Sequence, residues 1–167
     1  MKTAICPGSF DPVTFGHLDI IRRASAMFDR VIVVVGTNAA KRPMFTRLER
    51  VEFLRRATAV MDNVEIDSYD GLLADYARQK NATVIVKGLR AMSDFEYEFQ
   101  MALTNRKLNP DTETAFLTTT AEHMYLSSSL VKQVAQLGGD ITGFVPDCII
   151  DDIRRKVNAE PHTGSLE

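Results

Sequence analysis

Val31-Ile32-Val33-Val34-Val35 is an unbroken run of β-branched residues. A strand with one face in water alternates apolar and polar positions. A strand with no polar position has both faces covered, which is the habit of a parallel sheet flanked by helices. Ala82-Thr83-Val84-Ile85-Val86 reads the same way, and Ala4-Ile5-Cys6, Val64-Glu65-Ile66 and Ala115-Phe116-Leu117 give three shorter strands. Helical patterns separate them. Leu18, Ile21, Ala24 and Phe28 share one face. Thr46-Arg47-Leu48-Glu49 reads as a capping box opening a helix with Leu48, Val51, Leu54, Thr58 and Met61 inward. Leu72 to Lys80 reads as a helix. Ser93-Asp94-Phe95-Glu96 reads as a second capping box, its helix running towards Leu108 and stopping before Pro110. Ser127 or Ser128 caps a helix through Leu137 that Gly138-Gly139 ends, and Pro146 suits the first turn of a last helix carrying Ile149, Ile150, Ile153 and Val157.

Five strands interleaved with helices predict a single-domain, Rossmann-like α/β fold: a doubly wound parallel five-stranded sheet with helices on both faces, spanning 1–158. The polar stretch 159–167 predicts a disordered tail. A chain of 167 residues buries roughly 70% of its unfolded surface and needs no staples. A net charge of −2 gives no basic field for a nucleic acid, and no apolar stretch approaches the ~18 residues of a membrane span. Two cysteines, Cys6 and Cys148, make neither a disulfide framework nor a metal cluster. With no signal peptide expected, a reduced cytoplasmic protein follows.

In open parallel sheets ligands bind beyond the carboxyl ends of the strands. Polar and basic residues gather at those ends. Pro7-Gly8-Ser9-Phe10-Asp11-Pro12 follows the first strand and leads into Thr14-Phe15-Gly16-His17 at a helix start. Thr37, Asn38 and Lys41 follow the second strand, Lys87-Gly88-Leu89-Arg90 the fourth, and Thr118 to Ser129 the fifth. A strand, a glycine-containing turn and a helix start present backbone N–H groups to a phosphate. A cation-capable imidazole at that start, His17, is placed to meet charge developing on a transferring phosphoryl or nucleotidyl group. The sequence lacks G-x-x-x-x-G-K-[ST], G-x-G-x-x-G after a strand, and G-x-S-x-G, against a P-loop NTPase, a dehydrogenase and an elbow-type hydrolase.

Thr14-Phe15-Gly16-His17 together with Leu126-Ser127-Ser128-Ser129-Leu130-Val131-Lys132 resembles the motif pair of the nucleotidyltransferase superfamily. Adding Pro7 to Pro12, Lys41-Arg42-Pro43-Met44-Phe45, Gly88-Leu89-Arg90 and Asp94-Phe95-Glu96-Tyr97-Glu98, the chain resembles the bacterial phosphopantetheine adenylyltransferases over about residues 2 to 158. The resemblance implies adenylyl transfer from ATP to 4′-phosphopantetheine, giving dephospho-coenzyme A and pyrophosphate. The attack is in line, with no covalent intermediate. It implies Mg²⁺ carried mainly on the phosphates, a homohexamer, and coenzyme A as a feedback inhibitor.

By the same resemblance His17, Lys41 and Arg90 are the catalytic set. Ser9, Phe10, His17, Gly88, Leu89, Arg90 and Glu98 frame ATP, with His123, Met124, Tyr125, Leu126, Ser127, Ser128 and Ser129 closing on it. Ser9, Lys41, Leu73 and Lys87 hold the acceptor. Lys87 stands where the family commonly has arginine, which keeps the charge and gives up the bidentate fork. His123 and Met124 stand where relatives usually carry an aromatic residue.

Blander readings stand beside these. Arg22, Arg23, Arg47, Arg50, Arg55 and Arg56 read mostly as solvated helix faces. Phe95, Tyr97, Phe99 and Met101 read as core or subunit packing, Met44-Phe45 equally as core, Cys6 as a buried strand residue, and His162 as an inert tail residue. Two other functions fit the pattern. One is a nucleotidyltransferase with another acceptor, such as nicotinamide mononucleotide or a phosphorylated alcohol. The other is a silent nucleotide-binding module.

Overall fold

The computed structural model describes residues 1–36 and 42–159, side chains at 92 and 93 excepted. Thr37, Asn38, Lys41 and the stretch 160–167, with His162, therefore lie outside the described residues. The elements run β1 (Thr3–Gly8), α1 (Phe15–Met27), β2 (Arg30–Gly36), α2 (Arg47–Ala57), β3 (Val64–Tyr69), α3 (Leu73–Gln79), β4 (Val84–Leu89), α4 (Met92–Leu108), β5 (Glu113–Thr118), α5 (Ser128–Gln136) and α6 (Ile150–Ala159). Short 3₁₀ turns at Ala121–His123 and Asp147–Ile149 precede α5 and α6.

The five strands form one parallel sheet in the order β3-β2-β1-β4-β5. The β-branched run of β2 is buried on both faces. Val31, Val33 and Val35 join a core with Ile21, Leu54, Ile149 and Ile153, while Ile32 and Val34 join a second core with Ile5, Tyr76, Ala77 and Ile85. Each such side chain taken from water contributes about 1.5–3 kcal/mol before chain entropy is subtracted.

The order of strands reverses between β1 and β4, which makes their junction the switch point where a doubly wound sheet binds its ligand. The register there is short. β1 pairs with β4 only through Ala4↔Val84 and Ile5↔Ile85, whereas its ladder with β2 continues from Thr3↔Arg30 to Gly8↔Val35. Beyond Ile5 the two central strands part, and the gap opens a crevice at their carboxyl ends.

Local sequence sets several boundaries. Thr46 and Glu49 form the expected reciprocal box, Thr46 N–H donating to Glu49 Oε2 at 2.7 Å and Glu49 N–H to Thr46 Oγ1 at 3.2 Å. Leu48, expected inside, is 81% exposed, because the inner face of α2 is set by Arg50, Val51, Phe53 and Leu54. Arg50 likewise departs from the expected solvated face, at 3% exposure. α4 starts at Met92, with Ala91 at its N-cap, so position 93 lies inside the helix rather than at its cap. β4 runs to Leu89, so Lys87, Gly88 and Leu89 belong to the strand rather than following it. Phe95, Tyr97 and Phe99 are not core; all three are exposed along α4. Pro146 sits before the 3₁₀ turn rather than inside α6.

Candidate active site

The crevice between β1 and β4 is a cavity of about 580 Å³. The turn after β1 forms its floor. Phe10 takes φ 48°, a left-handed conformation that costs an L-residue of this size roughly 1–3 kcal/mol. Its surroundings hold it there. The ring packs on Gly8, where an added Cβ would come within 2.9 Å of it, and meets the His17 ring edge-on at 5.1 Å. Arg50 Nη1 donates to the Ser9 carbonyl at 2.8 Å and to the Gly36 carbonyl at 3.3 Å. Gly88 lets α1 approach β4, since a Cβ there would meet Ile20 Cγ1 at 2.9 Å.

His17 is the third residue of α1, whose N-cap is Thr14. Its Nδ1 accepts the Thr14 N–H at 3.0 Å, closing the capping box. The ring is neutral at pH 7. Removal from bulk water, with repulsion from Arg90 and Lys87, pulls its pKa down to about 4. A neutral imidazole that accepts at Nδ1 carries its proton on Nε2. The cation-capable imidazole is thus a neutral hydrogen-bond donor in the free chain, with a fixed tautomer.

The cations lie around this ring. Arg42, Arg50, Lys87, Arg90 and Lys132 line the cleft against the carboxylates of Asp11, Asp94 and Glu98. Each carboxylate is engaged. Asp11 accepts Met44 N–H and Phe45 N–H at 2.9 Å each and pairs with Lys132 at 3.0 Å. Glu98 pairs with Lys87 at 3.1 Å, and Asp94 with Arg90 at 3.5 Å. Arg90 also donates from Nη1 to the Leu126 carbonyl at 2.8 Å, tying the end of β4 to the loop before α5. The cleft is therefore a basic pocket with fixed donors, suited to a polyphosphate.

Most of the expected residues converge there: Ser9, Phe10, His17, Lys87, Gly88, Arg90, Glu98, Leu126, Ser127, Ser128 and Ser129 line the cavity. Leu73 lines an adjoining cavity of about 420 Å³ that shares Ser9, Lys87 and Glu98 with the first. Leu89, His123, Met124 and Tyr125 line neither. Met124 and Tyr125 are exposed, and His123 Nδ1 lies 3.0 Å from Thr120 Oγ1. Two of the three serines have protein partners. Ser127 caps α5 by accepting Leu130 N–H at 3.1 Å, and Ser128 Oγ donates to the Pro12 carbonyl at 2.7 Å. Cys6, buried with its thiol pushed up to about 12 by loss of solvation, is no nucleophile.

Sequence reasoning missed Arg50, Asp11 and Lys132 as lining residues. Lys132 and Asp11 lay inside quoted motifs, whereas Arg50 carried no signal. Among the described residues no helix is long and apolar enough to cross a membrane.

The model of the cytidylyltransferase-like family matches residues 5–134. With a nucleotide-sized basic cleft at the switch point of a doubly wound sheet, the chain belongs to that family of nucleotidyltransferases. The fold is shared with the nicotinic acid mononucleotide adenylyltransferase of Plasmodium falciparum, at a TM-score of 0.68 and 16% identity over 93% of this chain and 96% of that one. The sequence resolves the family further. The phosphopantetheine adenylyltransferase of Clostridium tetani is 57% identical over 95% of this chain and 99% of its own length. That of Caldanaerobacter subterraneus subsp. tengcongensis is 56% identical over 93% and 98%. The chain belongs with the phosphopantetheine adenylyltransferases.

Proposed function

We propose that the chain transfers the adenylyl group of ATP to 4′-phosphopantetheine, giving dephospho-coenzyme A and pyrophosphate, a step of coenzyme A synthesis. The observation that carries this reading is the match at 56–57% identity, over nearly the whole of both chains, to phosphopantetheine adenylyltransferases. An oxygen of the acceptor's phosphate bonds to the α-phosphorus of ATP as the bond to the bridging oxygen breaks, and that electron pair leaves with pyrophosphate. A phosphate dianion is already a nucleophile, so the protein supplies position and charge rather than a base.

The residues divide the work. Ser9 and the Phe10 N–H receive phosphate oxygens of ATP, and His17 Nε2–H donates to the α-phosphate. Arg90 holds the nucleotide phosphates while bracing the loop at Leu126, and Gly88, Leu89 and Glu98 frame the nucleotide. His123, Met124 and Tyr125 would approach it only if their loop closed. Lys41 and Lys87 take the acceptor phosphate, and Leu73 takes the pantetheine arm in the adjoining cavity.

Mg²⁺ fits this donor set as an ion carried by the phosphates. Among the described residues no group of three or more His, Cys, Asp or Glu is placed to hold one, and the carboxylates of the cleft are already paired. When bound, the ion would neutralise charge on the triphosphate.

Coenzyme A contains the pantetheine arm of the acceptor, so we expect it to compete for the same cavity. We place the enzyme in the cytoplasm, where its two free cysteines stay reduced. The functional test is pyrophosphate release with ATP against a panel of phosphorylated acceptors. Release with 4′-phosphopantetheine above all others is the expected result.

Two further outcomes follow. Lys87→Ala is expected to weaken acceptor binding by about 1.5–3 kcal/mol, the loss of one charged hydrogen bond, and ATP binding by less. Calorimetry with each ligand alone checks it, and equal losses would contradict the acceptor-side placement. The exposed Phe95, Phe99 and Leu103 on α4 support self-association, and six copies is the number that the resemblance to the family implies. Light scattering is expected to give six times 18.7 kDa; a mass of 18.7 kDa at micromolar concentration would contradict it.

A further inference from the structure

We infer that Arg50 is a positioning residue for this transfer, holding the ends of β1 and β2 in the register that brings ATP and acceptor together. The inference rests on the reaction proposed above.

Arg50 lies in the first turns of α2, is 3% exposed and lines the cleft. It forms no ion pair among the described residues; its bonds go to two main-chain carbonyls, those of Ser9 and Gly36. Its Nε is the one buried side-chain nitrogen or oxygen without a hydrogen-bond partner among the described residues. Such a group is costly. An apolar side chain beside Val51 and Leu54 would avoid desolvating a charge but would take the donor away from the Ser9 and Gly36 carbonyls.

The two carbonyls explain why it is there. A trans peptide is planar, with C=O and N–H pointing in opposite directions. Fixing the Ser9 carbonyl on Arg50 therefore aims the Phe10 N–H away from α2, and helps hold Phe10 at its unfavourable φ of 48°. Gly36 is the last residue of β2, and Lys41 follows it by five positions in the sequence. One guanidinium thus anchors both the turn that receives ATP and the point from which the Lys41 segment departs. Among the described residues no carboxylate bonds to it directly, although Asp11 attracts it across the cleft floor.

The test compares Arg50→Met and Arg50→Lys with the wild-type chain, measuring kcat and both KM values at a temperature where melting curves show every variant folded. Arg50→Met is expected to lose about 100-fold in kcat, the scale set by a misplacement of about 1 Å, with both KM values within about threefold. Arg50→Lys is expected to regain at least about tenfold of that loss, since it restores the charge and a donor. Should Arg50→Met not fold, Arg50→Gln is read in its place against the same expectation. A folded variant with a lowered melting temperature and unchanged kcat makes Arg50 a structural residue and overturns the inference. So does a chain that folds with neither substitution. A wild-type chain inactive on ATP and 4′-phosphopantetheine overturns instead the reading of the reaction.

Discussion

His17→Ala is expected to fold, to bind ATP with little change and to lose about 10²–10³ in kcat, or roughly 3–4 kcal/mol of transition-state stabilisation. The ring's Nδ1 is occupied by the Thr14 N–H, which fixes its orientation and leaves Nε2–H as the donor. A donor whose bond strengthens as charge shifts at the α-phosphate lowers the barrier more than it tightens the ground state. A histidine that served only the capping box would instead cost about 1 kcal/mol of stability and leave turnover alone. Steady-state kinetics and a melting curve on the same variant separate the two.

The pH dependence sharpens this. The imidazole takes a proton only near pH 4 in the folded chain, against about 6.5 in the unfolded one. Between those values the unfolded state binds a proton that the native state refuses. The stability contributed by neutral His17 is therefore present above about 6.5 and lost as pH falls towards about 4. No inflection in kcat/KM between pH 6 and 8 is expected from His17 of the free chain, and His17→Ala should lose less stability with acid than wild type does in that lower window.

Asp11→Ala is expected to destabilise the fold by about 2–4 kcal/mol, chiefly through the two backbone N–H groups it leaves without an acceptor. The carboxylate is 5% exposed and holds two backbone N–H groups and one ammonium. Alanine strands the two N–H groups, while the Lys132 ammonium, 25% exposed, keeps its access to water. For a chain of this length the loss corresponds to a fall of roughly 10 °C in melting temperature. Asp11→Asn retains one acceptor oxygen and should fall between wild type and alanine. Chemical denaturation of the three proteins measures it, and a loss under about 1 kcal/mol for Asp11→Ala would show that the carboxylate is no anchor.

These residues mark what the sequence disclosed. The strands of the sheet were legible because covering both faces of β2 leaves no polar position, and the Thr46–Glu49 cap because both partners lie within one turn. The cleft was legible as a set of strand ends, since topology alone brings such ends to one edge. The end of β4 was misjudged because Lys87 and Gly88 are polar or small where β1 and β4 part, so composition there reflects the crevice and not the ladder. Leu48 and Arg50 exchanged their expected places. A guanidinium in a helix reads as solvent-facing, and the carbonyls that bury this one lie 41 and 14 residues away. The protonation of His17 was hidden for the same reason: burial of its ring, and then the approach of Arg90 and Lys87, arise only through the fold.

The most direct measurement is the mass of the product formed from ATP, Mg²⁺ and 4′-phosphopantetheine by the full chain, with nicotinamide mononucleotide in a parallel reaction. The mass of dephospho-coenzyme A, with one pyrophosphate released per product and no turnover of the mononucleotide, is the expected result. A dinucleotide product from nicotinamide mononucleotide, with none from 4′-phosphopantetheine, would contradict the assignment.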